Sequence, residues 1–166
     1  MKSLFSEVLL IGAMVVLIGH SVRAQVRPAS TDELTRLSDI VVVGKVADVK
    51  AGWNSDRTRI FTTVTVAVDQ TLKGDAGTTT ASILVPGGEV DGVGELYSHS
   101  VQFRKDEEVV VFARKDKQGR LRVVSGEHGK LSVSQDAITG ARVVSGESTL
   151  TELTRRVKTV AGEILK

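Results

Sequence analysis

The sequence predicts a mainly β domain: a small five-stranded antiparallel barrel, with a short helix before it and an amphipathic helix after it. Three observations carry that expectation. Five short β-branched segments follow one another between residues 40 and 126, divided by polar or glycine-bearing turns. One of them, "RIFTTVTVAVDQTLKGD" (59–75), alternates apolar and polar residues, so one face meets a core and the other meets water. The C-terminal stretch changes period, with Leu150, Leu153, Val157, Val160 and Ile164 spaced for one face of a helix.

The elements read in order as follows. Residues 1–24 form a secretory signal peptide. Lys2 is its basic start, residues 8–18 are its apolar run, and Val22-Arg23-Ala24 is its cleavage site. An uncleaved anchor is the rival, but the run is about half the ~20 residues a spanning helix needs. Without a cysteine after the run, a lipoprotein anchor is excluded. The exported chain then starts at Gln25. "STDELTRLSD" is a short helix capped by Ser30 and Glu33, with Leu34 and Leu37 as its buried pair.

"IVVVGKVADVK" (40–50) is a strand buried on most of both faces, with Gly44 marking a bulge or bend. "AGWNSDRTR" is a polar turn carrying the only Trp, Trp53. In the second strand, Ile60, Val64, Val66, Val68 and Leu72 share one face, and Thr63, Thr65 and Asp69 the other. "TTTASILVP" (78–86) is the third strand. Residues 87–103 form a long glycine-rich loop. "EEVVVFAR" (107–114) and "RLRVVSG" (120–126) are the fourth and fifth strands, joined by a turn at Lys117-Gln118-Gly119. "GKLSVS" and "GARVVSG" are short apolar pieces at the barrel edge. Thr149 and Glu152 cap the final helix, which packs on the barrel; a partner-binding seam would need more heptads than it has. The domain plan is a signal peptide (1–24), a barrel (25–147) and a helix (148–166).

Composition narrows the function. Removing Lys2, Arg23 and Glu7 from 22 basic and 20 acidic residues leaves an exported part that is nearly neutral, with no electrostatic grip on nucleic acid or anionic membrane. The chain has no cysteine, which excludes thiol catalysis, disulfide exchange and cysteine–zinc sites, and leaves stability to the core.

The run "LSDIVVVGKVADVK", a turn, "IFTTVTVAVDQTLKGD", a strand, then a loop into "FRKDEEVVVFARKDKQGRLRVV" resembles the netrin-like barrel, the OB-type fold of the tissue inhibitors of metalloproteinases. The likeness covers residues 37–125. It is nearer still to cysteine-free exported bacterial proteins with the same order of elements. The resemblance implies an OB-like barrel. It does not transfer the animal inhibitors' mechanism, in which an N-terminal cysteine chelates the protease zinc, because Gln25 stands at the expected N-terminus.

Chemistry is sparse. "PGGEVDGVGE" has neither a GK[ST] ending nor a G-x-G-x-x-G opening, and Glu89, Asp91 and Glu95 would repel phosphate. These acids also lack the spacing of a calcium loop. His99 and His128, with an acid such as Glu127, are too few and too scattered to demand zinc. In Ser98-His99-Ser100, neighbours on a strand face opposite ways and cannot form a relay. A metal-dependent hydrolase is therefore a minor alternative, and no cofactor is expected. Single-stranded nucleic acid needs aromatic platforms and a positive groove. The basic hairpin of Arg114, Lys115, Lys117, Arg120 and Arg122 contains Asp116 and reads as a solvated edge.

The expectation is a secreted or periplasmic, non-catalytic module that binds an exported or cell-envelope protein, proteases among the candidates. The contact residues are Trp53, Glu89, Asp91, Tyr97 and His99. Trp53 reads either as a cap on the barrel end or as an exposed anchor. A barrel holding a small ligand or carbohydrate is the alternative.

Overall fold

The computed structural model describes residues 29–75, 79–145 and 149–164. The expected signal peptide, residues 25–28 and Lys166 lie outside them. Helix α1 (Thr31–Leu37) leads into two long strands, β1 (Ile40–Trp53) and β2 (Ile60–Lys73), and then β3 (Thr80–Pro86). A small hairpin follows, β4 (Gly88–Val90) and β5 (Val93–Glu95). Then come β6 (Glu108–Lys115), β7 (Leu121–Val123), a 3₁₀ turn (Gly126–Gly129), β8 (Lys130–Gln135), β9 (Arg142–Val144) and helix α2 (Leu150–Ile164).

Strands β1, β2, β3, β7 and β6 pair in that order, and β6 returns to pair with β1, so five strands close a barrel. The ring is compatible with an OB-like barrel. It is mixed, not wholly antiparallel: β3 and β7 run parallel, bridged at Ile83 and Leu121. The correction follows from counting. A closed ring with an odd number of strands cannot alternate direction all the way round, so at least one neighbouring pair must be parallel. The two short apolar pieces after the barrel are β8 and β9. They extend the sheet from β6, whose one edge pairs with β7 at residues 113–115 and with β8 at residues 108–111.

Strand parity builds two cores. On β1, Ile40, Val42 and Val46 point into the barrel, while Val41 and Val43 join a second cluster with α1 and α2. On β6, Val109, Val111 and Ala113 are inside, and Val110 and Phe112 lie in the second cluster. Strands covered on both faces read as unbroken apolar runs, and both of these do. From α2, Leu150, Leu153 and Val157 enter the second cluster, as their spacing predicts. Ser30 caps α1 by accepting the Glu33 amide at 3.3 Å, and Thr149 caps α2 by accepting the Glu152 amide at 3.2 Å. Lys73 closes the other end of α1, its ammonium donating to the carbonyls of Thr35 (2.7 Å) and Ser38 (2.6 Å). Burial there pulls the Lys73 pKa down.

Three expectations change. Leu37, the last residue of α1, is exposed, and the helix is buried instead through Thr31, Leu34 and Thr35. Leu72 shares the parity of Val64 and Val66 but packs in the outer cluster. The β1–β2 register shifts between Val43 and Gly44, where Asp69 is the extra residue, and that bulge reverses the parity of β2 beyond it; Leu72 is itself the extra residue at the next shift, between Val41 and Val42. Trp53 is not in a turn but ends β1, paired with Ile60. Gly44 sits at one of these shifts, and a Cβ there would strike the Ala67 carbonyl of β2. The glycine is what lets the two strands approach at the bend.

Candidate functional site

The residues 87–103, expected as an open loop, begin as an ordered hairpin. Asp91 and Gly92 have φ of 53° and 79°, the left-handed pair that a two-residue β-hairpin turn requires. Strands β4 and β5 pair on either side of it. The hairpin lies on the open end of the barrel. At Gly88, φ is 137°, and a Cβ would come within 2.9 Å of the Ala51 methyl and 2.6 Å of Thr62 Oγ1. Only glycine allows this approach. Thr62 Oγ1 also donates to the Gly87 carbonyl at 2.7 Å.

Glu95, the last residue of β5, is the clasp. Its carboxylate accepts the Ile60 amide at 2.6 Å, the Tyr97 hydroxyl at 2.8 Å and the Arg59 guanidinium at 3.2 Å. Arg59 also donates to the Tyr97 hydroxyl at 2.6 Å. The Ile60 amide, then the Tyr97 hydroxyl, hold the Glu95 pKa below the ordinary carboxylate range. The chain then turns back and inserts Val101 and Phe103 into the barrel core. Past them, Glu107 accepts from Lys130 and from Ser132 Oγ (2.6 Å), and Lys130 lies over the Phe103 ring, 5.6 Å from its centroid. Burial would raise the Glu107 pKa, but the Lys130 and Ser132 bonds outweigh it and the net shift is downward.

Two clefts flank Tyr97. One, of about 310 Å³, lies between hairpin and barrel mouth, with Val49, Val64, Val85 and Phe103 among its apolar walls and Glu89, Glu95 and Tyr97 among its polar ones. The other, of about 350 Å³, runs from Leu84 and Pro86 past Ser98 and His99 to Arg122. A third depression of about 610 Å³ lies on the outer sheet face and is bordered by Trp53 and Phe61.

The five residues singled out in the sequence therefore do not form one site. Glu89 and Tyr97 line the first cleft, and Tyr97 and His99 the second. Asp91 is exposed at the hairpin turn and lines neither. Trp53 is half-buried and borders the outer depression. His99 lies 3.5 Å from Glu127, and both are exposed. Among the described residues, no three His, Asp or Glu side chains gather where they could hold a metal ion. Glu95 spends its oxygens on the clasp.

Four residues were missed: Arg59, Glu95, Val93 and Leu96. The Asp-Gly pair between Val90 and Val93 is the signal that would have found the hairpin. The hairpin holds two large apolar side chains in water, with Leu96 89% and Val93 51% exposed. No helix among the described residues is long and apolar enough to cross a membrane. Compared with protein-family models and with curated proteins, the chain matches none.

Proposed function

We propose that the chain is an exported, non-catalytic binding module that meets a protein partner of the cell envelope or its surroundings at the barrel end. One observation carries the reading. Leu96 and Val93 are held out in solvent on a hairpin whose root is fixed by the Glu95 clasp. A preformed loop loses little conformational freedom when it binds, so its apolar contacts are not spent on ordering it. Exposed apolar side chains grouped beside clefts are what a protein contact surface needs. The centre of the proposed contact thus moves from Trp53 to Leu96, with Glu89, Tyr97 and His99 around it. The signal-peptide pattern supports export. The order of elements supports the netrin-like relationship, and with it an exported protease as the first partner class to examine.

The test immobilises residues 25–166 and exposes them to native envelope and secreted fractions. Leu96→Asp is compared with Ile138→Asp, which alters the equally exposed Ile138 in the turn between β8 and β9. Proteins held by the wild type and by Ile138→Asp, but released by Leu96→Asp, support the hairpin. Identical capture by all three sinks it.

A further inference from the structure

The two helices and β8–β9 cover the outer face of β1's first half and of β6. They leave bare the outer face of β1's second half, of the first half of β2, and of β3 and β7, while Leu72 near the end of β2 is covered. Two depressions lie there, of about 610 and 470 Å³, and they share Thr63, Leu84 and Arg120, so they form one continuous trough. Four strands at about 4.8 Å spacing make it about 14 Å across.

We infer that this trough is a binding site for an extended anionic glycan of the uronate type. Its floor is hydroxyl-rich, with Thr63, Thr65 and Ser82 along β2 and β3, and Leu84 and Phe61 as apolar patches between them. Its margins carry Lys50, Lys115 and Arg120 against a single lining carboxylate, Asp48. Asp116 lies behind the β7 margin and answers Arg120 at 2.8 Å and Arg122 at 3.4 Å, so cations still exceed acids at the rim. A nearly neutral domain thus concentrates positive charge on one hydroxylated face. Short hydroxyl donors and acceptors suit sugar hydroxyls, and cations at the rim suit a chain that carries carboxylates.

Single-stranded nucleic acid fits less well, because it needs successive aromatic faces on which to stack. The Phe61 ring has the Arg122 guanidinium over it, 5.1 Å from its centroid, and Trp53 is then the one aromatic left on the border. The trough is also remote in purpose from the hairpin: neither Leu96 nor Val93 lines it.

The test titrates folded protein with an alginate oligosaccharide by calorimetry and by backbone amide shifts. Expected are saturable binding that weakens with added salt, shifts at Thr63, Ser82 and Leu84, and roughly ten-fold weaker binding on charge reversal in Lys50→Glu or Lys115→Glu. Lys50→Arg should restore binding, and Leu96→Asp should leave it unchanged. Thermal melts confirm that each variant is folded. No binding at millimolar alginate, equal binding to a neutral glucan of the same length, tighter binding to an oligothymidylate, or indifference to both charge reversals would each overturn the inference.

Discussion

Gly44 offers a sharp test of what shapes the barrel. A methyl group at position 44 would run into the Ala67 carbonyl oxygen, and would stand 2.9 Å from Val66 Cγ1 and 3.0 Å from the Ala67 carbonyl carbon. Two of these three atoms belong to the backbone of a paired strand. They cannot rotate away as a side chain would, so β2 itself must shift. Overpacking of this kind costs typically 1–3 kcal/mol, and the backbone obstacle puts Gly44→Ala at about 3 kcal/mol. Gly52 lies eight residues on in the same strand, and a Cβ there meets nothing within 4 Å. Neither glycine has the left-handed φ that would make a side chain strained. Gly52→Ala should therefore be neutral or stabilise by up to about 1 kcal/mol, by narrowing the unfolded ensemble. Urea unfolding followed by circular dichroism measures both. At about 3–4 °C per kcal/mol for a domain of this size, the pair should differ in Tm by about 10 °C or more. Equal effects of the two substitutions, or a Gly44→Ala cost below about 0.5 kcal/mol, would refute close strand approach as the reason for the glycine.

The other expectations concern pairs and pH. Phe112 is completely buried between sheet and helices, so Phe112→Ala should cost about 3–5 kcal/mol in the same unfolding assay. Glu107 and Lys130 form a largely buried pair, with side chains 18% and 12% exposed. Lys130→Met alone strands the carboxylate and should cost about 2–3 kcal/mol, whereas adding Glu107→Met should recover part of that loss; a double variant worse than the single would contradict the pairing. The Glu95 pKa is depressed, so its contribution is complete above the unfolded value of about 4.3 and is lost as pH falls through the lower folded one. Protection of the hairpin amides, taken relative to their intrinsic exchange rates at each pH, should therefore fall in acid in the wild type, and in Glu95→Gln it should be low even at neutral pH. At Asp116, burial would raise the pKa, but the Arg120 amide, the Arg120 guanidinium and the Gln118 amide bring it down to about 2. Its share of stability should fade between about pH 4 and pH 2, and Asp116→Asn should remove that part of the acid limb.

Much of the fold was legible because periodicity is local. The apolar runs in β1 and β6 show strands covered on both sides, and the 3–4 spacing of Leu150, Leu153 and Val157 shows which face α2 buries. What escaped was set by contacts between distant segments. The bulge at Asp69 that sends Leu72 outward arises from the β1–β2 register, and nothing in "DQTLK" reveals it. The site was less legible for a similar reason. Trp53, Glu89, Asp91, Tyr97 and His99 were chosen by residue type, but side-chain chemistry alone does not say which strand end meets which loop. Glu95 looked like one more acid in a glycine-rich stretch. It becomes a clasp only because Gly87 and Gly88 allow the hairpin to fold back over Ile60 and Thr62, bringing the carboxylate to an amide 35 residues earlier.

The parallel seam joins the fold to the proposed sites. In the closed ring, β1, β2 and β6 meet their antiparallel neighbours over six or more residue pairs, and β6 meets β7 over three. Between β3 and β7 the register holds at one pair, Ile83 and Leu121. An odd ring must place a parallel step somewhere, and parallel pairing is the less stable kind. Here it falls beside β7, the shortest strand of the ring. The His99–Arg122 cleft lies against this seam at one end and the outer trough at the other, both sharing Leu84 of β3. The cleft and the β3–β7 part of the trough border this weakly bonded seam, whereas the rest of the trough lies over the long β1–β2 pairing. The seam's amides, at Ser82, Leu84 and Leu121, should then exchange before those of β1 and β6, and ligand in the trough should slow them.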